Sequence, residues 1–256
     1  MHDDTKRIYE KYNINPEERE KENILIINKR HEELDKLNKG QLQKEFKNGL
    51  EKNFSHYKNY LRDTRFYYFK EFESNIWQIV QCLIIEAYSA SITLTNHIFE
   101  RIFKLALIQN KIGVTPVELD KLNKTYASTH KYSNWNMDKT IAECYKIGLI
   151  EIEHKNKLTE YRKSIRNGFS HYDPSAILKN ENDVMDAVFP SRNPEEIKTI
   201  QLNFKQIPIL QHYSVNKFAR DNAEPYFDYA ITIIKHIERK FKEKYYADYK
   251  NKLEKK

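Results

Sequence analysis

Hydrophobic residues recur at three- and four-residue steps over much of the chain, the spacing that gives an α-helix one apolar face. The strongest run, from Trp77 to Leu107, is apolar on more than one face, so we expect a helix through the core. Its apolar positions are Trp77, Val80, Leu83, Ile84, Ala87, Ala90, Leu94, Ile98, Ile102, Leu105 and Ala106. Two further stripes predict a helix from Ile152 to Tyr172 and a last helix that begins near Asp221, with Pro225 in its first turn.

The first part of the chain has a different pattern. Charged residues and asparagine predominate between Pro16 and Phe54, which favours exposed helices with a break at Asn38-Lys39-Gly40. We therefore divide the chain into a charged N-terminal helical extension, residues 1–75, and a helical domain, residues 76–256. The extension is either a helical hairpin packed on the domain or an arm that binds a partner. Residues 180–220 predict an irregular insertion before the last helix, with a short extended stretch near 204–213.

Composition favours an all-α fold and narrows the possible functions. Only 5 glycines and 7 prolines interrupt 256 residues, too few for a β-sandwich, a β-barrel or a doubly wound sheet. The net charge of +7 suits a polyanionic partner such as nucleic acid. The chain starts without an apolar signal segment and has no stretch apolar enough for a bilayer, so we expect a cytoplasmic protein outside the membrane.

One segment near the end of the Ile152–Tyr172 helix carries groups suited to catalysis. Arg166, Asn167 and His171 place a guanidinium, an amide and an imidazole within six residues. Arginine can hold a phosphate through two parallel hydrogen bonds, and histidine can transfer protons near neutral pH. Asn167 and His171 share one face of a regular helix, whereas Arg166 points about 140° away from His171. A working site therefore requires the arginine to swing round or the backbone to adjust near Gly168.

The pattern Arg-Asn-x-x-x-His, followed by Tyr172 at the end of a helix in an all-α chain, resembles the signature of HEPN domains. The resemblance covers residues 76–256 and implies a HEPN-like helical bundle. It also implies metal-independent cleavage of RNA, in which the 2′-hydroxyl attacks the adjacent phosphate and leaves 2′,3′-cyclic phosphate and 5′-hydroxyl ends. His171 would be the general acid or base, Arg166 would stabilise the phosphorane charge, and Asn167 would orient one of them.

The same resemblance implies partners and a biological setting. HEPN sites are commonly composite, with two copies of the motif meeting across a homodimer interface. Such proteins often act as bacterial toxins with an antitoxin partner or as antiviral effectors. No cofactor and no metal ion are expected. Because the superfamily includes members without nuclease activity, a non-catalytic module that binds RNA or a protein partner stays open, as does a purely structural scaffold.

A second polar group lies on the Trp77–Leu107 helix. Asn96 and Glu100 are four residues apart on one face, and His97 and Arg101 form the adjacent row. Charged groups on a core helix need partners. HEPN nucleases often present an acidic residue from a neighbouring helix to the motif, and Glu100 is the candidate for that position. A structural polar network is the equal alternative, whereas His97 and Glu100 lack the further ligands of a metal site.

Overall fold

A computed structural model of the chain describes residues 15–63, 65–113, 118–171, 173–178, 184–190, 197–203 and 207–254. Of these, the residues described by their backbone alone are 16, 170, 171, 176, 184–190, 197–200, 203, 209 and 247–254. The chain divides into two compact units, Met1–Lys52 and Asn53–Lys256. Helices form most of the described backbone, which confirms the predicted all-α class at this level.

Short connections join most of the helices, and a longer one precedes the last helix. In chain order, the described α-helices are α1 Pro16–Arg62, α2 Phe72–Ile84, α3 Tyr88–Ile112, α4 Leu122–Ala127, α5 Met137–Lys146, α6 Ile152–Tyr161, α7 Asn167–His171, α8 Pro174–Ile177 and α9 Pro208–Glu254. Short 3₁₀ helices, Leu119–Lys121 and His130–Asn134, flank α4. A π-helical segment, Arg162–Arg166, joins α6 to α7. The helical backbone predicted from Ile152 therefore continues to His171, with a π-helical turn inside it that the sequence pattern did not predict.

Helix α1 passes through Gly40 without interruption, so the break predicted there and the hairpin that followed from it are wrong. A single glycine costs a helix only about 1 kcal/mol relative to alanine. Hydrogen bonds between side chains four residues apart stabilise the helix beyond Gly40. One example is Gln41 Nε2, which donates to Glu45 Oε1 at 2.7 Å. The thinly spaced apolar residues of the first unit, including Leu25 and Leu37, are exposed as the sequence predicted.

The run predicted as one helix from Trp77 to Leu107 is two helices, because α2 ends at Ile84. Glu86 has a positive φ of 61°, and the N–H groups of Glu86 and Ala87 donate to the carbonyls of Leu83 and Cys82. This pattern is a Schellman motif, in which a left-handed residue closes the helix. The prediction of Trp77 as a core residue is also wrong, since its side chain is exposed.

Aromatic contacts between α3 and α9 form the centre of the core in the second unit. The rings of Phe99 and Tyr226 lie 5.0 Å apart, and both side chains are buried. Phe69, which precedes α2, and Phe72, the first residue of α2, are buried as well. The second unit therefore starts at Asn53, whereas the sequence analysis placed the boundary after residue 75.

The connection before the last helix contains an antiparallel pair of strands, β1 Val184–Pro190 and β2 Ile197–Asn203. The extended stretch was instead predicted at 204–213, of which 204–206 lie outside the described residues and 208–213 are helical. Helix α9 starts at Pro208, so its predicted start near Asp221 is wrong, and Pro225 lies inside the helix. Proline fits the first helical position because its missing N–H needs no partner there.

No described helix is long and apolar enough to cross a membrane.

Candidate active site

The π-helical segment ends at Arg166, and the guanidinium of this residue contacts Glu100 on α3. Arg166 Nε donates to Glu100 Oε1 at 3.0 Å, and Arg166 Nη2 donates to the same oxygen at 2.6 Å. The two residues are 66 positions apart in sequence, so this ion pair links the motif to the core helix. Glu100 was the predicted acidic neighbour of the motif, and the structure brings its carboxylate into contact with the Arg166 guanidinium.

Asn167 completes the surroundings of the guanidinium. Arg166 Nη1 donates to Asn167 Oδ1 at 3.2 Å. Three of the five guanidinium donors take part in the bonds to Glu100 and Asn167. The other two have no acceptor among the described residues and can bind a further acceptor such as a phosphate oxygen. The side chain of Arg166 is 29% exposed, so an incoming ligand can reach it.

The local backbone departs from a regular helix at the motif. The N–H of Asn167 donates to the carbonyl of Arg162, five residues earlier, which is the hydrogen bond of a π-helix. Such turns are frequent at functional sites. This π-helical turn precedes Arg166, whereas residues Asn167–His171 form the α-helix α7. The angle of about 140° expected between Arg166 and His171 in a regular helix therefore still applies, and the long arginine side chain has to swing round. Nothing in the sequence signals this π-helical turn.

His171 is the last residue of α7, and its side chain lies outside the described part of the structure. Its predicted proton-transfer role stays a prediction. The backbone at this end is fixed by Gly168, whose carbonyl accepts from the N–H of Asp173 at 2.9 Å. A Cβ at Gly168 would lie 2.5 Å from Ile177 Cγ1, so only glycine allows α8 to approach this closely.

A buried hydrogen bond lies beside the partly exposed ion pair of Arg166 and Glu100. Tyr226 on α9 donates its hydroxyl to Asn96 Oδ1 at 2.7 Å, and both residues are almost fully buried. Burial raises the pKa of the Tyr226 hydroxyl, and the nearby charge of Arg166 offsets part of that rise. The hydroxyl therefore stays protonated and acts as a donor, not as a base. Asn96 Nδ2 is buried and has no hydrogen-bond partner among the described residues.

The other polar residues singled out on α3 do not join this site. Arg101 pairs with Glu71, with Nε and Oε1 3.1 Å apart, and the side chain of His97 is exposed. Arg162 forms a second ion pair at the start of the π-helical segment, in which its Nε lies 2.6 Å from Asp138 Oδ1. The angles of this contact do not make it a hydrogen bond, unlike the contacts of Arg166 with Glu100. Neither Arg162 nor Tyr226 was predicted to lie near the motif, because neither stands in a distinctive sequence pattern.

A separate cluster contains residues suited to hold a metal ion. Glu151 and His154 lie at the start of α6, and His236 lies on α9. Their potential ligand atoms all lie within 4.8 Å of one another. Lys240 hydrogen-bonds to the Glu151 carboxylate and, with the nearby His236, lowers its pKa. This cluster could not be predicted from the sequence, because Glu151 and His236 are distant in the chain and match no ligand motif.

Comparisons of the chain with protein-family models, with curated proteins and with solved structures find no match. The function of the site is therefore inferred from its own residues and their geometry.

Proposed function

We propose that Arg166, Asn167 and His171, together with Glu100, form the site of an endoribonuclease of the HEPN type. The observation that supports this most directly is the partly exposed Arg166 guanidinium, oriented by Glu100 and Asn167. It occurs within the sequence pattern Arg-Asn-x-x-x-His. A cation held in one orientation, with donors left for a ligand, suits a reaction that develops negative charge on a phosphate.

In the proposed reaction, the 2′-oxygen of a ribose bonds to the adjacent phosphorus, and the bond from phosphorus to the 5′-oxygen breaks. His171 takes the proton of the 2′-hydroxyl or supplies a proton to the leaving 5′-oxygen. Arg166 stabilises the extra charge on the non-bridging oxygens of the phosphorane, and Glu100 and Asn167 position it. The products are a 2′,3′-cyclic phosphate and a 5′-hydroxyl, and no metal ion takes part.

The position of the motif in the fold and the net charge of the chain also support this assignment. The motif lies at a helix end next to the helical core, and the long helix α9 follows a connection that contains a strand pair. The net charge of +7 favours a polyanionic partner. In this proposal the chain works as a homodimer with a composite site, and it serves as a toxin restrained by an antitoxin or as an antiviral effector.

The proposal is tested with RNA and three variants, Arg166→Ala, His171→Ala and His130→Ala, in buffer that contains EDTA. We expect the wild type and His130→Ala, which changes an exposed histidine on a 3₁₀ helix, to cleave RNA with 2′,3′-cyclic phosphate ends. Arg166→Ala and His171→Ala should lose cleavage while remaining folded by circular dichroism. Cleavage that persists in both motif variants would contradict the assignment. RNA binding without cleavage by the wild type would instead indicate a non-catalytic module.

A further inference from the structure

We propose that Glu151, His154 and His236 form a binding site for one divalent transition-metal ion, with Zn²⁺ as the fitting example. Two imidazoles and a carboxylate are a ligand set that zinc and related borderline ions accept. The site is separate from the proposed nuclease chemistry, which uses no metal, and metal binding can be measured without reference to RNA.

Helix geometry brings the three side chains together. Glu151 directly precedes α6 and His154 lies in its first turn, three residues on, so both side chains lie on the same side of the helix. His236 on α9 approaches them, with Nε2 4.0 Å from Glu151 Oε1. Zinc at about 2.0–2.2 Å from each ligand requires tetrahedral ligands about 3.3 Å apart. With the ligand atoms within 4.8 Å of one another, modest side-chain rotations are enough to close the site.

The buried nitrogen of His236 points to a ligand. The side chain of His236 is 9% exposed, and its Nε2 atom has no hydrogen-bond partner among the described residues. A buried polar atom without a partner is unfavourable, and native structures rarely leave one. A metal ion at this position would accept the lone pair of His236 Nε2 and so give this buried atom a partner. The exposed Glu151 carboxylate would supply an oxygen ligand from the solvent side.

His154 has the outer partner that metal-bound histidines commonly have. Its Nδ1 atom lies 3.0 Å from the Tyr229 hydroxyl. With the proton on Nδ1, the ring donates to Tyr229 and keeps the lone pair of Nε2 for a metal ion. The hydroxyl of Tyr229 would thus fix the orientation of the ring, as outer hydrogen bonds do in known metal sites.

Two cations next to the site compete with a metal ion. Lys240 Nζ lies 3.4 Å from Glu151 Oε1, and Arg239 Nη2 lies 3.5 Å from His236 Nδ1. Metal binding through Nε2 places the proton of His236 on Nδ1, so Arg239 must turn away. Glu243, which already accepts from Arg239 Nη1 at 2.8 Å, offers it a partner. Removal of the Lys240 charge should therefore strengthen metal binding.

The test uses the full-length, tag-free chain with Zn²⁺ in calorimetric titrations and Co²⁺ as a spectroscopic probe. We expect the wild type and His130→Ala to bind one Zn²⁺ per chain, and to give visible Co²⁺ absorption bands typical of nitrogen and oxygen ligands. Glu151→Gln and His154→Ala should bind Zn²⁺ at least about 100-fold more weakly, because loss of a direct ligand exceeds the effect of outer-shell changes. Tyr229→Phe should weaken binding about 10-fold, and Lys240→Ala should strengthen it.

Thermal unfolding separates a lost ligand from a lost fold. At a Zn²⁺ concentration of 100 times Kd, the wild-type Tm should rise by about 5 °C or more. Glu151→Gln, which changes an exposed side chain, should keep the metal-free Tm and lose this rise. Absence of binding to the wild type, or equal binding by wild type, Glu151→Gln and His154→Ala, would overturn the proposal. RNA cleavage in EDTA tests the proposed nuclease independently of metal binding. The metal site and the nuclease site can therefore be contradicted separately.

Discussion

At the residue scale, the contact between Arg166 and Glu100 determines what the candidate site can do. Their side chains are 29% and 39% exposed, so solvent screens the pair. Partly exposed ion pairs of this kind contribute about 0–1 kcal/mol to stability. Glu100 therefore orients the guanidinium without burying it, and solvent or a phosphate can still approach the remaining donors of Arg166. The geometry therefore suits ligand binding better than structural reinforcement.

Replacement of Glu100 by glutamine tests this positioning role. Glu100→Gln keeps the shape of the side chain and removes the charge that orients Arg166. We expect the single-turnover rate of RNA cleavage to fall about 10- to 100-fold, since small misplacements of a catalytic group have effects of this size. RNA affinity should stay the same or increase, because one negative charge near the phosphate is gone.

The matched control for this change is Asp138→Asn, which removes the carboxylate partner of Arg162. It should leave the cleavage rate near that of the wild type. Equal rates for Glu100→Gln and the wild type would contradict a positioning role for Glu100.

The residues of the site differ in how far the sequence reveals them. A charge on an otherwise apolar helix requires a partner, and the resemblance to HEPN nucleases suggested that the partner of Glu100 is the motif. Tyr226 could not, since it lies in an apolar stripe where any aromatic residue would fit the same pattern. Its partner Asn96 is 130 positions away in sequence, and only the fold shows that they meet.

At the scale of elements, the close approach of α7 and α8 at Gly168 holds the motif in place. Gly168→Ala would bring a methyl group 2.5 Å from Ile177 Cγ1 and 3.2 Å from the Ile177 backbone nitrogen. We expect a loss of about 1–3 kcal/mol in the free energy of unfolding, the usual effect of overpacking. Thermal denaturation measures it as a decrease in Tm, and RNA cleavage should fall with the displaced Asn167.

Gly40→Ala provides the contrasting control, since a Cβ at Gly40 meets no atom within 4 Å. Alanine in this exposed helix should stabilise α1 by about 0.5–1 kcal/mol. A Gly168→Ala variant as stable as the wild type would contradict the packing described for α7 and α8.

Helix ends show why some elements could be predicted and others could not. Helix α5 ends at Gly148, which has a φ of +75°, the left-handed conformation that glycine favours, so the sequence itself marks this helix end. Glu86 performs the same function after α2 with no glycine in the sequence to reveal it. The side chain of Asn53 donates to the Ile84 carbonyl at 2.8 Å, so a tertiary contact supports that helix end. Local sequence patterns do not reveal a tertiary contact of this kind.

At the scale of the whole molecule, the buried side chains are concentrated in the second unit. Every described buried hydrophobic residue lies at or after Tyr57, whereas the large apolar residues described in the first unit, from Ile24 to Leu50, are exposed. A chain that lacks residues 1–52 should therefore keep the core intact. We expect the 53–256 fragment to unfold in one cooperative transition close to that of the full chain in calorimetry. A fragment without a cooperative transition would show that the first unit is required for folding.

The most direct test of the central claim compares two arginines in the same helical segment. Arg166→Ala and Arg162→Ala each remove one partly exposed ion pair, so both should lower stability by a similar, small amount. RNA cleavage in EDTA should fall by at least about 100-fold for Arg166→Ala, the usual effect of removing a group that stabilises transition-state charge. It should remain close to the wild-type rate for Arg162→Ala. Equal rates for the two variants would contradict the assignment of Arg166 to the active site.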